Sequence, residues 1–338
     1  MTREDPLRKR FSERARRQRP RHAPAAQRGI ALLVAILLVA LGTVIAATVA
    51  YENAMTTRRG AATYALDQAL LVAQGAEALA AYGLRTIYQN DPKHTYAAQG
   101  WGKPIGPLEV VPGVMLEASL EDLQGRFNLN SLVDAHGNPD PVQVTAFTNL
   151  LAYVGLEPKW AGYIIDWIDV NDTPSIPDGA EDSVYMGLTP PYRTPNRYIT
   201  SISELLALPG FGRDRYVALA PYVTALPLDA KVNICSASGK VLDAYLGHGD
   251  FGSDPDALAK NRATAPGCFP TLADFDAAFA DPKLRSKIDP KIGETSSYFR
   301  LTSVVSIGSA EFSLYSLLYQ ERGSDAKVRA VLRSFTPD

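Results

Sequence analysis

The longest apolar run comes first. From Ile30 to Ala50 there are 21 residues without a charge, bounded by Arg28-Gly29 on one side and Glu52 on the other. At about 1.5 Å per residue, a helix of that length crosses a hydrocarbon core of roughly 30 Å; it also exceeds the roughly 7–15 residues of a secretory signal's apolar region. Residues 30–50 are therefore read as a transmembrane helix. The helical pattern continues beyond it. No proline occurs between Tyr51 and Gln89, and Val72, Ala76, Leu79, Gly83 and Ile87 recur at steps of three and four, which predicts one apolar stripe on an amphipathic helix. Asp91-Pro92 ends it.

The period then changes to two. In "GVMLEASLEDL", Val114, Leu116, Ala118 and Leu120 alternate with Met115, Glu117, Ser119 and Glu121, the pattern of a half-buried strand. Alternation returns only near the C-terminal end, in "SYFRLTSVVSI", "EFSLYSLLYQ" and "KVRAVLRSF", with Gly308-Ser309 and "RGSD" suited to the turns between them. Residues 134–290 read instead as helix and loop. The pattern predicts an α+β fold: a sheet domain in two pieces, 51–133 and 291–338, interrupted by a mainly helical subdomain.

That insertion carries a weak internal repeat. "LLAYVGLEPKWAGYIIDWI" from Leu150 aligns with "LLALPGFGRDRYVALAPYV" from Leu205, each with a helix end, a glycine turn at Gly155 or Gly210, and a second helix. These are two helix–hairpin–helix units. Such hairpins can hold DNA phosphates on backbone N–H groups, or serve as scaffold. A membrane-anchored periplasmic DNA-binding protein is thus the alternative reading. No basic stripe accompanies either hairpin, so nucleic acid is not expected as a partner.

Charge adds orientation. The net charge of −2 hides an asymmetry: residues 1–29 hold ten Arg and Lys against Glu4, Asp5 and Glu13. By the positive-inside rule this end stays cytoplasmic and everything after Tyr51 is translocated. The only two cysteines, Cys235 and Cys268, lie in the translocated part, where an oxidising compartment favours one disulfide over two separate thiols.

The densest polar stretch is "DWIDVNDTPSIPDGAEDSVY", with Asp166, Asp169, Asp172, Asp178, Glu181 and Asp182 within 17 residues. Carboxylates this close repel one another unless a cation sits among them, and oxygen ligands at flexible spacing favour Ca²⁺ over Mg²⁺. The spacing is not that of an EF-hand, and a solvated acidic loop with helix caps is the alternative. Enzymatic signals are poor. "GHGDFG" at 247–252 matches G-x-G-x-x-G, but no strand precedes it and Pro255 follows, which marks a chance match. The four histidines have no zinc spacing, and no nucleophile elbow is found, so no enzyme is expected.

A basic residue, a glycine and then an apolar run entering a long helix, followed by a small sheet, together resemble a type IV prepilin. Carried onto this chain, the resemblance makes residues 1–29 a cytoplasmic leader, with cleavage between Gly29 and Ile30 by the prepilin peptidase and methylation of the new N-terminus. Two features depart from the usual pattern: the leader is long, and the fifth mature position, commonly glutamate, is Val34. "LEDLQGRFNLNSL", the acidic stretch, "SISELLALPGFG", "KVNICSASGKVL" and "YFRLTSVVSIG…VRAVLRS" resemble, in this order, the protein K family of minor pseudopilins of type II secretion systems. The resemblance implies a type IV pilin-like fold and an inner-membrane protein with a single span and a periplasmic head. It implies a non-enzymatic role at the tip of a pseudopilus that exports folded proteins across the outer membrane. It also implies structural calcium in the helical subdomain, and as partners the minor pseudopilins I, J and H and the major pseudopilin.

Overall fold

A computed structural model describes residues 25–265, 267–279 and 281–336; the basic leader at 1–24 lies outside them. The chain divides into two compact units, Met1–Tyr64 and Ala65–Asp338. Helix α1 (Ala25–Asn90) supplies the described part of the first. Over residues 30–50 its apolar side chains are exposed on all sides, Leu33 and Leu37 at 67%. A helix apolar all round and long enough to cross a bilayer fits a single-pass membrane anchor.

In the second unit the rest of α1 packs on a five-stranded antiparallel sheet. Strands β1 (Ile105–Val111) and β2 (Val114–Asp122) precede the helical insertion, whereas β7 (Tyr298–Ile307), β8 (Ala310–Gln320) and β9 (Val328–Ser334) follow it; their order is β1-β2-β7-β8-β9. Gly308, at φ +60°, makes the β7–β8 turn. Alternation decides which faces are buried: Phe299, Leu301, Ser303 and Val305 of β7 point inward. On α1 the buried face differs from the expected stripe. Ala69, Ala73, Ala76, Glu77 and Leu84 lie against the sheet, while Leu79 is 53% exposed. A row of alanines lets helix and sheet approach closely, and small side chains weigh little in a hydrophobic pattern.

The insertion is built on helices α2 (Pro141–Tyr153) and α3 (Trp160–Ile168), the single turn α4 (Asp182–Tyr185), and α5 to α9 (Gly212–Leu219, Gly239–Leu246, Pro255–Thr264, Leu272–Ala277, Pro282–Ile288). Two short parallel pairs tie its segments together: β3 (Phe127–Asn128) with β4 (Val223–Thr224), and β5 (Val232–Asn233) with β6 (Ile292–Gly293). Buried amides reinforce them. Asn128 and Asn130 both donate to the Leu226 carbonyl, and Asn130 also exchanges two hydrogen bonds with Ile199. The two hairpins pack on each other through Trp160 and Phe211, edge to face at 5.0 Å, with Arg215 3.6 Å from Glu157. Their glycines at φ +77° (Gly155) and φ +76° (Gly210) make the turns. "GHGDFG" is a turn gathered on buried Asp243, which accepts the N–H groups of Asp250, Phe251 and Gly252. Cys235 and Cys268 are joined by a disulfide, their Cα atoms 4.8 Å apart.

Candidate metal centre

Helix α3 ends at Ile168, and the acidic stretch that follows folds back over it. Glycine makes this possible. A Cβ on Gly162 would fall 1.9 Å from the Asp178 carbonyl oxygen, and one on Gly179 would fall 2.3 Å from Asp166 Oδ2. Asp166, on the last turn of α3, holds the loop from inside by accepting the N–H groups of Ser175 (3.1 Å) and Ala180 (2.7 Å).

The fold-back brings three of the six carboxylates together. Asp166, Asp169 and Glu181 are at most 2% exposed, and each offers an oxygen within 4.8 Å of the others. None of them forms an ion pair among the described residues. Asp169 accepts from the backbone and side chain of Asn171. Glu181 receives one long contact, 3.5 Å from Thr194 Oγ1, and its Oε1 is buried without a donor. Burial, with the charges of Asp166 and Asp172 nearby, pushes Asp169 up to about 6. Burial and the charges of Asp166, Asp169 and Asp172 push Glu181 to about 7.

The other three stand apart from the trio. Asp182, the first residue of α4, holds the segment that follows, accepting from Thr194 N–H and Oγ1, both at 3.1 Å, and from Arg193 Nη1 at 2.9 Å. Asp178 is exposed. Asp172 is exposed at the rim and accepts from Asn196 Nδ2 at 3.0 Å. Asn196 was not singled out by the sequence, being uncharged and 14 residues beyond Asp182. It sits in the left-handed region at φ +46°, and its Oδ1 is buried without a donor.

This donor set fits a hard divalent cation. Ca²⁺ takes six to eight oxygens at about 2.3–2.6 Å, so ligand oxygens around one ion lie within about 5 Å of each other. The trio meets that limit, and one of its oxygens, Glu181 Oε1, is buried without a donor.

Comparisons with known proteins place the chain. A family model described as "Type II secretion system (T2SS), protein K" matches residues 125–228. The type II secretion system protein K of Pseudomonas aeruginosa is 33% identical over 323 residues, covering 91% of this chain and 92% of that protein. Its counterpart in Pectobacterium carotovorum subsp. carotovorum is 32% identical, with 91% and 96% covered. Among solved structures, a chain of the GspK-GspI-GspJ complex from enterotoxigenic Escherichia coli shares the fold at a TM-score of 0.72. It is 23% identical, and the match covers 83% of this chain and all of that one.

Proposed function

Because the chain belongs to the protein K family of type II secretion systems, we propose that it is the minor pseudopilin at the tip of the pseudopilus and takes part in exporting folded proteins from the periplasm. The observation that carries this is end-to-end relatedness to protein K, together with the pilin-like α+β fold interrupted by a helical insertion. The I and J subunits are its nearest partners, with the H subunit and the major pseudopilin below them. The helix from Ile30 anchors it in the inner membrane, with the N-terminus cytoplasmic and the head periplasmic, after the prepilin peptidase has cut between Gly29 and Ile30 and methylated the new end. Co-expression with I and J subunits tests the assignment: a stable complex of all three is expected, and a chain that copurifies with neither partner overturns it.

Position 34 supports a place at the tip. A carboxylate there would cost about 2.5–3.5 kcal/mol in the bilayer unless paired. In a fibre such a group can pair with the N-terminus of the neighbouring subunit, and the first subunit has no neighbour above it. Val34 removes the cost.

The acidic cluster serves as a structural calcium site in this reading. Asp166, Asp169 and Glu181 would hold the ion, with Asp172 and Asn196 at the rim; Asp182 serves the loop's fold and Asp178 stays exposed outside it. When bound, the ion supplies a fixed positive charge. The chain's own part is to hold the fold-back from α3 to Asn196 in one conformation.

A further inference from the structure

A second site lies at the junction of sheet and helical subdomain. There a cleft of about 330 Å³ runs between the segment around Tyr96–Gly102, the end of β2, and the start of α6. Its centre of interest is Arg262 of α7. This side chain is partly buried, and its Nε and Nη2 donate to the carbonyls of Phe269, Ile234 and Ala237. Among the described residues its Nη1 has no acceptor and the guanidinium has no carboxylate partner. Burial pulls its pKa down to about 10, the sign of a cation held without a counter-charge.

The acids lining the same cleft are already committed. Glu121 is shared between Arg126 and Arg300. Asp122 accepts four hydrogen bonds, from Gln124 N–H, Asn233 Nδ2, Ser236 Oγ and Ser296 Oγ. The free groups are donors. Trp101, 8% exposed, stands in the cleft wall, and its indole N–H is buried without an acceptor. Ser236 and Ser238 also line the cleft, their hydroxyls engaged with Asp122 and the Val241 N–H, and Tyr96, Leu120 and Phe269 add apolar and aromatic surface.

We propose that this cleft binds a carboxylate borne on an apolar or aromatic group, as the C-terminal residue of a polypeptide presents, with Arg262 as its counter-charge. Unpaired donors reward an acceptor ligand, and Arg262, whose Nε and Nη2 already serve backbone carbonyls, has Nη1 and its positive charge to offer a carboxylate through a charge-assisted hydrogen bond. The apolar walls take the rest of the ligand.

Calorimetry on the full-length protein in detergent tests this with N-acetyl-phenylalanine, its carboxamide, and octapeptides ending in phenylalanine with a free or an amidated C-terminus. The free acids should bind, and each amide should bind roughly tenfold or more weakly. Binding of the free-acid octapeptide identifies a chain terminus as the ligand; binding of N-acetyl-phenylalanine alone identifies a small organic acid. Arg262→Gln should remove the difference between acid and amide. Because Arg262 also supports the fold, Ala98→Glu provides an independent check at an exposed lining position: its carboxylate should compete for the guanidinium and abolish acid binding. Equal affinity for acid and amide, or no binding of either acid at millimolar concentration, overturns the proposal.

Discussion

Glu77 on α1 and Arg333 on β9 form a two-pronged ion pair across 256 residues of sequence, Nε to Oε1 at 2.8 Å and Nη2 to Oε2 at 2.7 Å, with Ser316 Oγ donating to the same carboxylate. Glu77 is buried against the sheet, while Arg333 is about half exposed. Burial pushes the Glu77 pKa up, but hydrogen bonds from Arg333 and Ser316 outweigh it, and the net shift is downward. A carboxylate lowered in the folded state stabilises above its unfolded pKa, and that contribution disappears as pH falls through the folded value. Arg333→Ala should destabilise the head by about 1.5–3 kcal/mol, nearer the lower figure because Arg333 can hydrate. In denaturant unfolding, a loss the same at pH 3 as at pH 7 would show that the pair is not its source.

Chelation should loosen the acidic loop. With calcium at 100 times its dissociation constant, the site adds about 2.7 kcal/mol, so excess chelator should lower the melting temperature by roughly 5–10 °C. Asp169→Asn and Glu181→Gln should reproduce the shift and blunt the chelator's further effect. Asp178→Asn, at an exposed carboxylate, should not. A melting temperature indifferent to chelator at neutral pH would remove the metal from the account.

Acidity should act in opposite directions with and without the ion. Asp169 and Glu181 are raised to about 6 and about 7, above ordinary carboxylates near 4. Without metal, the native state therefore binds more protons than the unfolded state between about pH 4 and 7, and their contribution to stability is lost as pH rises through that window. With metal, protons compete for the same oxygens and affinity falls as pH drops below about 7. The chelator-induced shift in melting temperature should thus be large at pH 8 and vanish near pH 5. A shift independent of pH would mean that these two carboxylates are not the ligands.

What the sequence disclosed follows from how strongly each position is patterned. β2 and the β7–β8 hairpin are legible because one face is buried and the other wet. β1 is not: "IGPLEVV" is exposed at all seven positions, so its alternation carries no hydrophobic signal. On α1, alanines rather than the larger Leu79 face the sheet, and buried Glu77 reads as a surface residue until Arg333 is seen beside it. At the acidic stretch, charge density located the cluster but could not separate inward Asp166, Asp169 and Glu181 from outward Asp178, since the fold-back depends on Gly162 and Gly179. Asn196 reaches Asp172 through tertiary structure alone.

The Cys235–Cys268 bridge closes a loop across a sequence separation of 33, from just after β5 to the approach to α8. By the loop-entropy model this contributes roughly 3–4 kcal/mol. Reduction should lower the unfolding free energy of the protein by that order, and Cys235→Ala/Cys268→Ala should behave like the reduced wild type. Two thiols reacting with a maleimide in denaturant without reductant would show that the bridge does not form in the cell.

Val34 should distinguish the first subunit of a fibre from the rest. It lies on an apolar helix surface, 52% exposed, in a run whose first charged group is Glu52. A shaft subunit needs an acid there, because the N-terminus of the next subunit would otherwise be left unpaired in lipid. A tip subunit receives no such neighbour, and an acid would only cost insertion energy of about 2.5–3.5 kcal/mol. On the proposed reading, Val34→Glu should leave cleavage after Gly29 unaffected and support secretion at or slightly below the normal level, because the cost falls on one subunit per fibre. In a shaft subunit the reciprocal change, glutamate to valine, should be far more harmful, since it breaks a pair at every repeat. Deletion of the helical insertion should instead disturb assembly with the I and J subunits while leaving cleavage intact. The decisive measurement is a photocrosslinker at position 34 in assembled fibres. The tip reading predicts contacts with helices alongside and below, and none with the N-terminus of a subunit above. A strong crosslink to such an N-terminus would place this chain inside the shaft and end the argument from Val34.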